Sequence, residues 1–114
     1  MLPPKFRLKI RQGTGSRWQN KRQVYTPVFK AVYRFGNRED LPKIGFIVSG
    51  KLGGAVKRNR LRRLLSEGVR TRLGKFPKGI EVLLIAQPEV SSASYEEICS
   101  WIDRFLSKIY LANL

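Results

Sequence analysis

Histidine is absent from this chain, cysteine occurs once, at Cys99, and aspartate and glutamate together number only eight among 114 residues. Each shortage excludes a class of chemistry. Without histidine, and with one thiol and scattered acids, no zinc site can be assembled. No Ser–His or Cys–His pair exists to activate a nucleophile. A single thiol closes no internal disulfide, and cytoplasmic residence is the expectation. The adjacent acids Glu39-Asp40 and Glu96-Glu97 fall in a turn and at a helix start, where carboxylates favour the helix dipole, so neither reads as an acid/base pair. No apolar run reaches the length of a membrane-spanning helix, and the N-terminus has no continuous hydrophobic signal core. A phosphate-binding loop is nearly spelled by Gly45 to Lys51, GFIVSGK. It fails because position 52 is Leu where a Ser or Thr must reach magnesium, and because Gly45 sits inside a strand pattern.

What is present in excess is positive charge. Twenty-three Lys and Arg give a net charge of +15 and a pI near 10.8, while 42% hydrophobic residues exclude a disordered basic tail. Such a balance predicts affinity for RNA, DNA or an anionic membrane and says nothing about fold. The length fits one domain with a modest core, with 1–23 in part without fixed structure.

The charge is densest where the chain reads KLGGAVKRNRLRRLLSEGVRTR, residues 51–72. After a glycine-rich turn (Gly50, Gly53, Gly54) a helix is expected, with Leu61, Leu64, Leu65 and Val69 as its buried stripe. On the opposite side gather Asn59, Arg62, Arg63, Ser66 and Arg70, flanked by Arg58 and Arg60. Between residues 51 and 75 nine Lys or Arg face one acid, Glu67. A solvated surface usually mixes signs, and lysine would serve for solubility. Arginine in a nearly single-signed set points instead to phosphate, which its planar fork matches bidentately.

Around this helix the periodicities predict a small α/β domain. Residues 1–23 carry seven cations and no acid. Pro3-Pro4 gives an extended lead-in. Gly13-Thr14-Gly15 interrupts any helix starting at Phe6, and Thr14 or Ser16 would cap a short helix through Trp18; Trp18 is expected in the core. Gln23 to Phe35 reads as strand, at a sheet edge or broken at Pro27. Phe29, Ala31, Tyr33 and Phe35 form its core face, and Val28, Lys30, Val32 and Arg34 the other. A second strand is expected over Lys43 to Ser49. Glu81 to Gln87 is an unbroken apolar run, the pattern of a central strand covered on both faces. Ser94 and Glu97 form a capping box. A last helix then buries Ile98, Trp101, Ile102, Phe105, Leu106 and Ile109.

The run Ser49-x-Lys51-Leu52-Gly53-Gly54-Ala55-Val56-x-Arg58-Asn59-Arg60-Leu61-Arg62-Arg63-Leu64 resembles the signature of the bacterial ribonuclease P protein component family. Val28-Phe29-x-Ala31-Val32-Tyr33, Leu83-Leu84-Ile85-Ala86-x-Pro88 and Ser94-Tyr95-Glu96-Glu97 are similar to further segments of that family. The resemblance implies a two-layer α/β (α+β) sandwich, a small mixed sheet of about three to four strands packed with helices. Its topology would be ribosomal-protein-like, with a left-handed crossover.

It also implies a single RNA-binding domain over 1–114 that serves as protein subunit of a tRNA 5′-maturing endoribonuclease. In that enzyme the RNA subunit hydrolyses the phosphodiester and holds the Mg2+, and the protein has neither a catalytic residue nor a metal site. The expected partners are ribonuclease P RNA and precursor tRNA, with no membrane and no small-molecule ligand. By matching position, Lys51, Lys57, Arg58, Asn59, Arg60, Arg62, Arg63 and Arg70 are expected to contact the RNA subunit. Tyr25, Phe29, Lys30, Val32 and Arg34 lie on the strand expected to line a cleft for the single-stranded 5′ leader. The chain departs from the family pattern at Gly50, Ser66 and Gln87, and most at Gly13-Thr14-Gly15. The alternative function is a non-catalytic RNA-binding protein, ribosomal-protein-like or an annealing factor. A DNA-binding module and a membrane-surface protein are more distant alternatives.

Overall fold

A computed structural model describes residues 2–10, 14, 18–37 and 39–112. Four strands, β1 (Arg22–Tyr25), β2 (Phe29–Phe35), β3 (Lys43–Ile47) and β4 (Ile80–Ala86), form one sheet in the order β1-β2-β4-β3. The strand expected over 23–35 is broken at Pro27, as the proline allowed, and its two parts pair as an antiparallel hairpin. Pro27 cannot donate to a ladder, and Thr26 turns the chain: its N–H donates to Phe29 O (2.9 Å) and its Oγ1 accepts from Phe29 N (2.9 Å). The apolar run over 80–86 is central, antiparallel to β2 and parallel to β3. The β3–β4 connection carries helix α1 (Ala55–Arg70), and helix α2 (Tyr95–Ala112) follows β4.

Both helices pack on the sheet face that presents Phe29, Ala31, Tyr33, Ile44, Val82 and Leu84, and these side chains form the core with them. Phe105 of α2 meets Phe29 and Tyr33 edge-on, at centroid separations of 6.2 and 5.7 Å. Such aromatic pairs add about 0.5–1.5 kcal/mol each beyond their burial. The helices approach closely at Gly68, where a Cβ would stand 2.8 Å from Ile102 Cδ1. Past the end of α1, Arg72 donates to Gly68 O and grips Asp103 of α2 (2.6 Å), so one side chain caps one helix and ties it to the other. The cap of α2 is half the expected box. Glu97 N donates to Ser94 Oγ (3.1 Å), but the Glu97 carboxylate accepts from the Ser94 hydroxyl rather than reaching a backbone N–H. Trp101 is only half-buried, at the margin of the core with Arg104 stacked on its ring.

The N-terminal segment runs along the outer edge of β3, and no α-helix forms among the described residues from 2 to 10. A 3-10 turn spans Pro4–Phe6, Leu2 is buried in the main core, and Leu8 N donates to Ile44 O (3.1 Å), which extends the sheet past β3. Leu8 and Ile10 then lie over Gly45, where a Cβ would stand 3.0 Å from Ile10 Cδ1 and 3.3 Å from Leu8 Cβ, a tight fit. Trp18, expected in the core, is half-buried with Arg34 stacked on its ring at 4.8 Å. The Gly13 and Gly15 interruption and a cap at Ser16 lie outside the described residues, and no α-helix runs through Thr14 or Trp18.

Candidate nucleic-acid interface

The loop Ser49–Gly54 sets the direction of the basic helix. Ser49 Oγ accepts from Lys51 N (3.2 Å) and starts a 3-10 turn over Gly50–Leu52. Gly53 follows at φ +138°, a conformation that L side chains rarely adopt, and a Cβ there would meet Lys57 Cδ at 2.6 Å. This position requires glycine. Helix α1 then begins with no side-chain cap and no acid in its first turn. The positive end of its dipole adds to the cations instead of being neutralised.

Leu61, Leu65, Gly68 and Val69 are buried as the apolar stripe. Lys51, Lys57, Asn59, Arg60 and Arg63 are exposed, and Arg58 and Arg62 are half-buried. Ion pairs form at Arg34–Glu81, Arg70–Glu67 and Arg72–Asp103, and among the described residues none involves positions 51–63. Arg62 Nη1 donates to Asn59 Oδ1 (3.1 Å), which orients both side chains without neutralising the charge. The Nε of Arg58 is buried with no partner, so its stem is packed while its charge stays uncompensated. Like charges this close on one helix oppose folding, and no ion pair within the described residues offsets them.

One position on this surface is corrected. Ser66, expected on the exposed side, is buried and donates to Arg63 O (3.1 Å). It sits beside the apolar stripe. Arg70 is not a free cation, because its Nε donates to Glu67 at 2.9 Å. That hydrogen bond holds the Glu67 carboxyl below its usual range and raises the Arg70 guanidinium.

The strand expected to line a cleft divides between its two faces. Phe29 is fully buried against Phe105 on the core side and cannot touch a ligand on the other face, which corrects its assignment. Val32 is on the open side but only 5% exposed. It packs as floor and offers little surface. Arg34 is held between the Trp18 ring and Glu81 (3.2 Å). Tyr25, 63% exposed, and Lys30 remain presented, with the Lys30 ammonium 5.3 Å above the Tyr25 ring and the Tyr25 hydroxyl donating to Gln23 (2.8 Å). A cation over an exposed ring suits a stacked base followed by its phosphate.

A groove missed by sequence reasoning runs beside the basic helix. Leu8 and Ile10 form one wall, β3 the floor, and Asn59, Arg62 and Arg63 the other wall, around a volume of about 370 Å³. The alternation in KFRLKI (5–10), with Phe6, Leu8 and Ile10 on one side and cations on the other, was the available signal; it is the period of an extended strand.

Comparison with known proteins agrees with this architecture. A family model described as Ribonuclease P matches residues 2–110. The ribonuclease P protein component of Syntrophus aciditrophicus is 31% identical over 102 residues, covering 90% of this chain and 85% of that protein. That of Acidothermus cellulolyticus is 32% identical over 111 residues, covering 96% and 92%. The solved RNase P protein of Thermotoga maritima superposes with a TM-score of 0.78 at 23% identity, covering 90% of this chain and 96% of that one. For the Staphylococcus aureus protein the TM-score is 0.74 at 22% identity, with 92% and 94% covered. These two structures share the fold.

Proposed function

This chain belongs to the bacterial ribonuclease P protein family, and from that premise we propose how it takes part in the enzyme. It is the protein subunit of a ribonucleoprotein endonuclease that removes the 5′ leader of precursor tRNA, and its partner is RNA. Our reading is that the face of α1 bearing Lys57, Arg58, Asn59, Arg60, Arg62 and Arg63, continued by Lys51, docks on ribonuclease P RNA. The open sheet face, through Tyr25 and Lys30, meets the precursor's single-stranded leader. The observation that carries this is the set of cations from 51 to 63 left without an acidic partner in an ordered structure. A folded protein tolerates such repulsion when its bound state removes it.

Bond breaking is assigned to the RNA subunit. Among the described residues no three His, Cys, Asp or Glu come together to hold a metal ion, and our reading does not assign the enzyme's magnesium to this chain. We place the ion with RNA phosphates. No helix among the described residues is long and apolar enough to cross a membrane, and we propose that the protein works in the cytoplasm, where its substrate is made. Reconstitution tests the reading. Added to a bacterial ribonuclease P RNA at low magnesium, the chain should restore cleavage of precursor tRNA at the mature 5′ end. RNA binding without restored cleavage would instead favour a non-catalytic RNA-binding protein.

A further inference from the structure

The groove between the N-terminal segment and α1 has a composition that phosphate binding alone does not explain. A surface that only neutralises a backbone needs cations, whereas this one sets an apolar wall and floor directly against them. Ile10 is 45% exposed on one wall, an unusual place for a large aliphatic, and Phe46 is half-buried in the floor. Opposite stand Asn59, Arg62 and Arg63, and no carboxylate lines the groove. Its volume of about 370 Å³ falls in the range of small-ligand sites.

The hydrogen-bonding character of the polar wall is also one-sided. Asn59 Oδ1 accepts from Arg62 Nη1, an orientation fixed by that bond. The Asn59 amide therefore turns its NH2 outward, and arginine has donors only. The side-chain donors of this wall face the apolar side formed by Leu8, Ile10 and Phe46. A base edge rich in acceptors fits such a wall best, and guanine N7 with O6 is the edge that arginine reads bidentately. Cytosine presents an amino donor at the corresponding place and would face donors with a donor.

We propose that this groove is a nucleobase pocket that takes one unstacked guanine from an RNA, with Ile10 and Phe46 against the ring and Asn59 with Arg62 on its acceptor edge. Arg63 holds the adjoining phosphate. The pocket rests on the reading of α1 as an RNA-docking helix and adds base selectivity to it. It makes the N-terminal segment part of the interface, since Leu8 N bonded to Ile44 O anchors the wall that carries Ile10.

The test uses the full chain and two short RNAs, UGU and UCU, titrated while amide and Asn side-chain resonances are followed by NMR. UGU should bind roughly tenfold tighter or more, the discrimination of one good bidentate contact, and should shift Ile10, Gly45, Phe46 and the Asn59 side-chain amide. Asn59→Asp supplies an acceptor and should narrow or reverse the preference toward UCU. Ile10→Ala, at an exposed position that does not threaten the fold, should weaken UGU several-fold more than UCU. Equal affinities for UGU and UCU, with ribonuclease P RNA still bound, would overturn the pocket alone. A chain that bound neither the trinucleotides nor ribonuclease P RNA would overturn the docking helix and the pocket together.

Discussion

The two helices lie side by side on one sheet face and differ in how each is stabilised. Helix α2 carries three acids and two cations over residues 95–112, has a side-chain cap at Ser94, and buries a continuous stripe from Ile98 to Ile109. Helix α1 carries six cations and one acid over residues 55–70, has no side-chain cap, and leaves Val56 87% exposed in its first turn. Residues that stabilise a helix in isolation are thus collected in α2 and withheld from α1. What keeps α1 folded is its apolar edge against α2 and β3 and the Arg72 clasp at its end. An element that contradicts its own local preferences and is held by its neighbours is where a functional or strained site is expected, which supports the proposed docking face on α1.

The largest expected effect breaks that comparison from the α2 side. Phe105→Ala removes the ring that meets Phe29 and Tyr33 in the core and should cost about 3–5 kcal/mol of folding stability. Urea unfolding measures it, and RNA affinity of the protein that remains folded should be unchanged. A variant of normal stability with weakened RNA binding would show that α2 belongs to the interface.

Next comes the reverse experiment on α1. Replacing Arg60, Arg62 and Arg63 together by Ala relieves repulsion and should leave the melting temperature unchanged or slightly raised. The log–log salt dependence of binding to ribonuclease P RNA should flatten by roughly 0.7–0.9 per lost phosphate contact, or about 2–3 for all three. An unaltered slope would remove this face from the RNA contact.

Gly68→Ala probes the seam between the helices, and the sign of its effect is the informative part. An alanine gains about 1 kcal/mol of helix propensity over glycine. Its Cβ, however, would lie 2.8 Å from Cδ1 of Ile102, which is fully buried. Overpacking of this kind costs about 1–3 kcal/mol, so a net loss of up to about 2 kcal/mol is expected by thermal or urea denaturation. A gain in stability would mean that Ile102 can turn away and that the helices are less tightly apposed than they stand.

Much of this was legible in the sequence, and the failures have physical reasons. The central position of β4 followed from an apolar run bounded by turns, and the buried edge of α1 from Leu61, Leu65 and Val69, because those patterns depend on burial alone. The break at Pro27 was visible, but the hairpin depended on Thr26 bonding Phe29, a tertiary choice that spacing does not encode. Ser66 was misplaced because an ideal helical wheel does not say how wide the covered arc is. Phe29 was assigned to a ligand face although its alternation with Ala31 and Tyr33 already placed it in the core. The N-terminal segment was misread because its short alternating run was taken for an interrupted helix, and its partner, the edge of β3, is far away in sequence. The unpaired state of residues 51–63 also required coordinates, since only they show that no acid comes within reach.

The smallest predicted effect separates the two ion pairs at the C-terminal end of α1. Arg70–Glu67 lies within one helix at the surface, and its salt bridge contributes little there. Arg72–Asp103 joins α1 to α2, with the arginine side chain 19% and the carboxylate 48% exposed. The hydrogen bond from Arg72 pulls the Asp103 carboxyl below its ordinary range, and the loss of hydration opposes it. A depressed folded-state pKa stabilises the protein above the unfolded value, near 3.9, and that contribution disappears as pH falls through the lower folded value. Asp103→Asn should therefore lower stability at pH 7, by less than about 1 kcal/mol given the half-exposed carboxylate. The deficit should shrink as pH falls below about 4. Melting temperatures of both proteins across pH 2–7 give the comparison directly. Parallel curves would mean that the clasp works through the Arg72 bond to Gly68 O and not through its charge on α2.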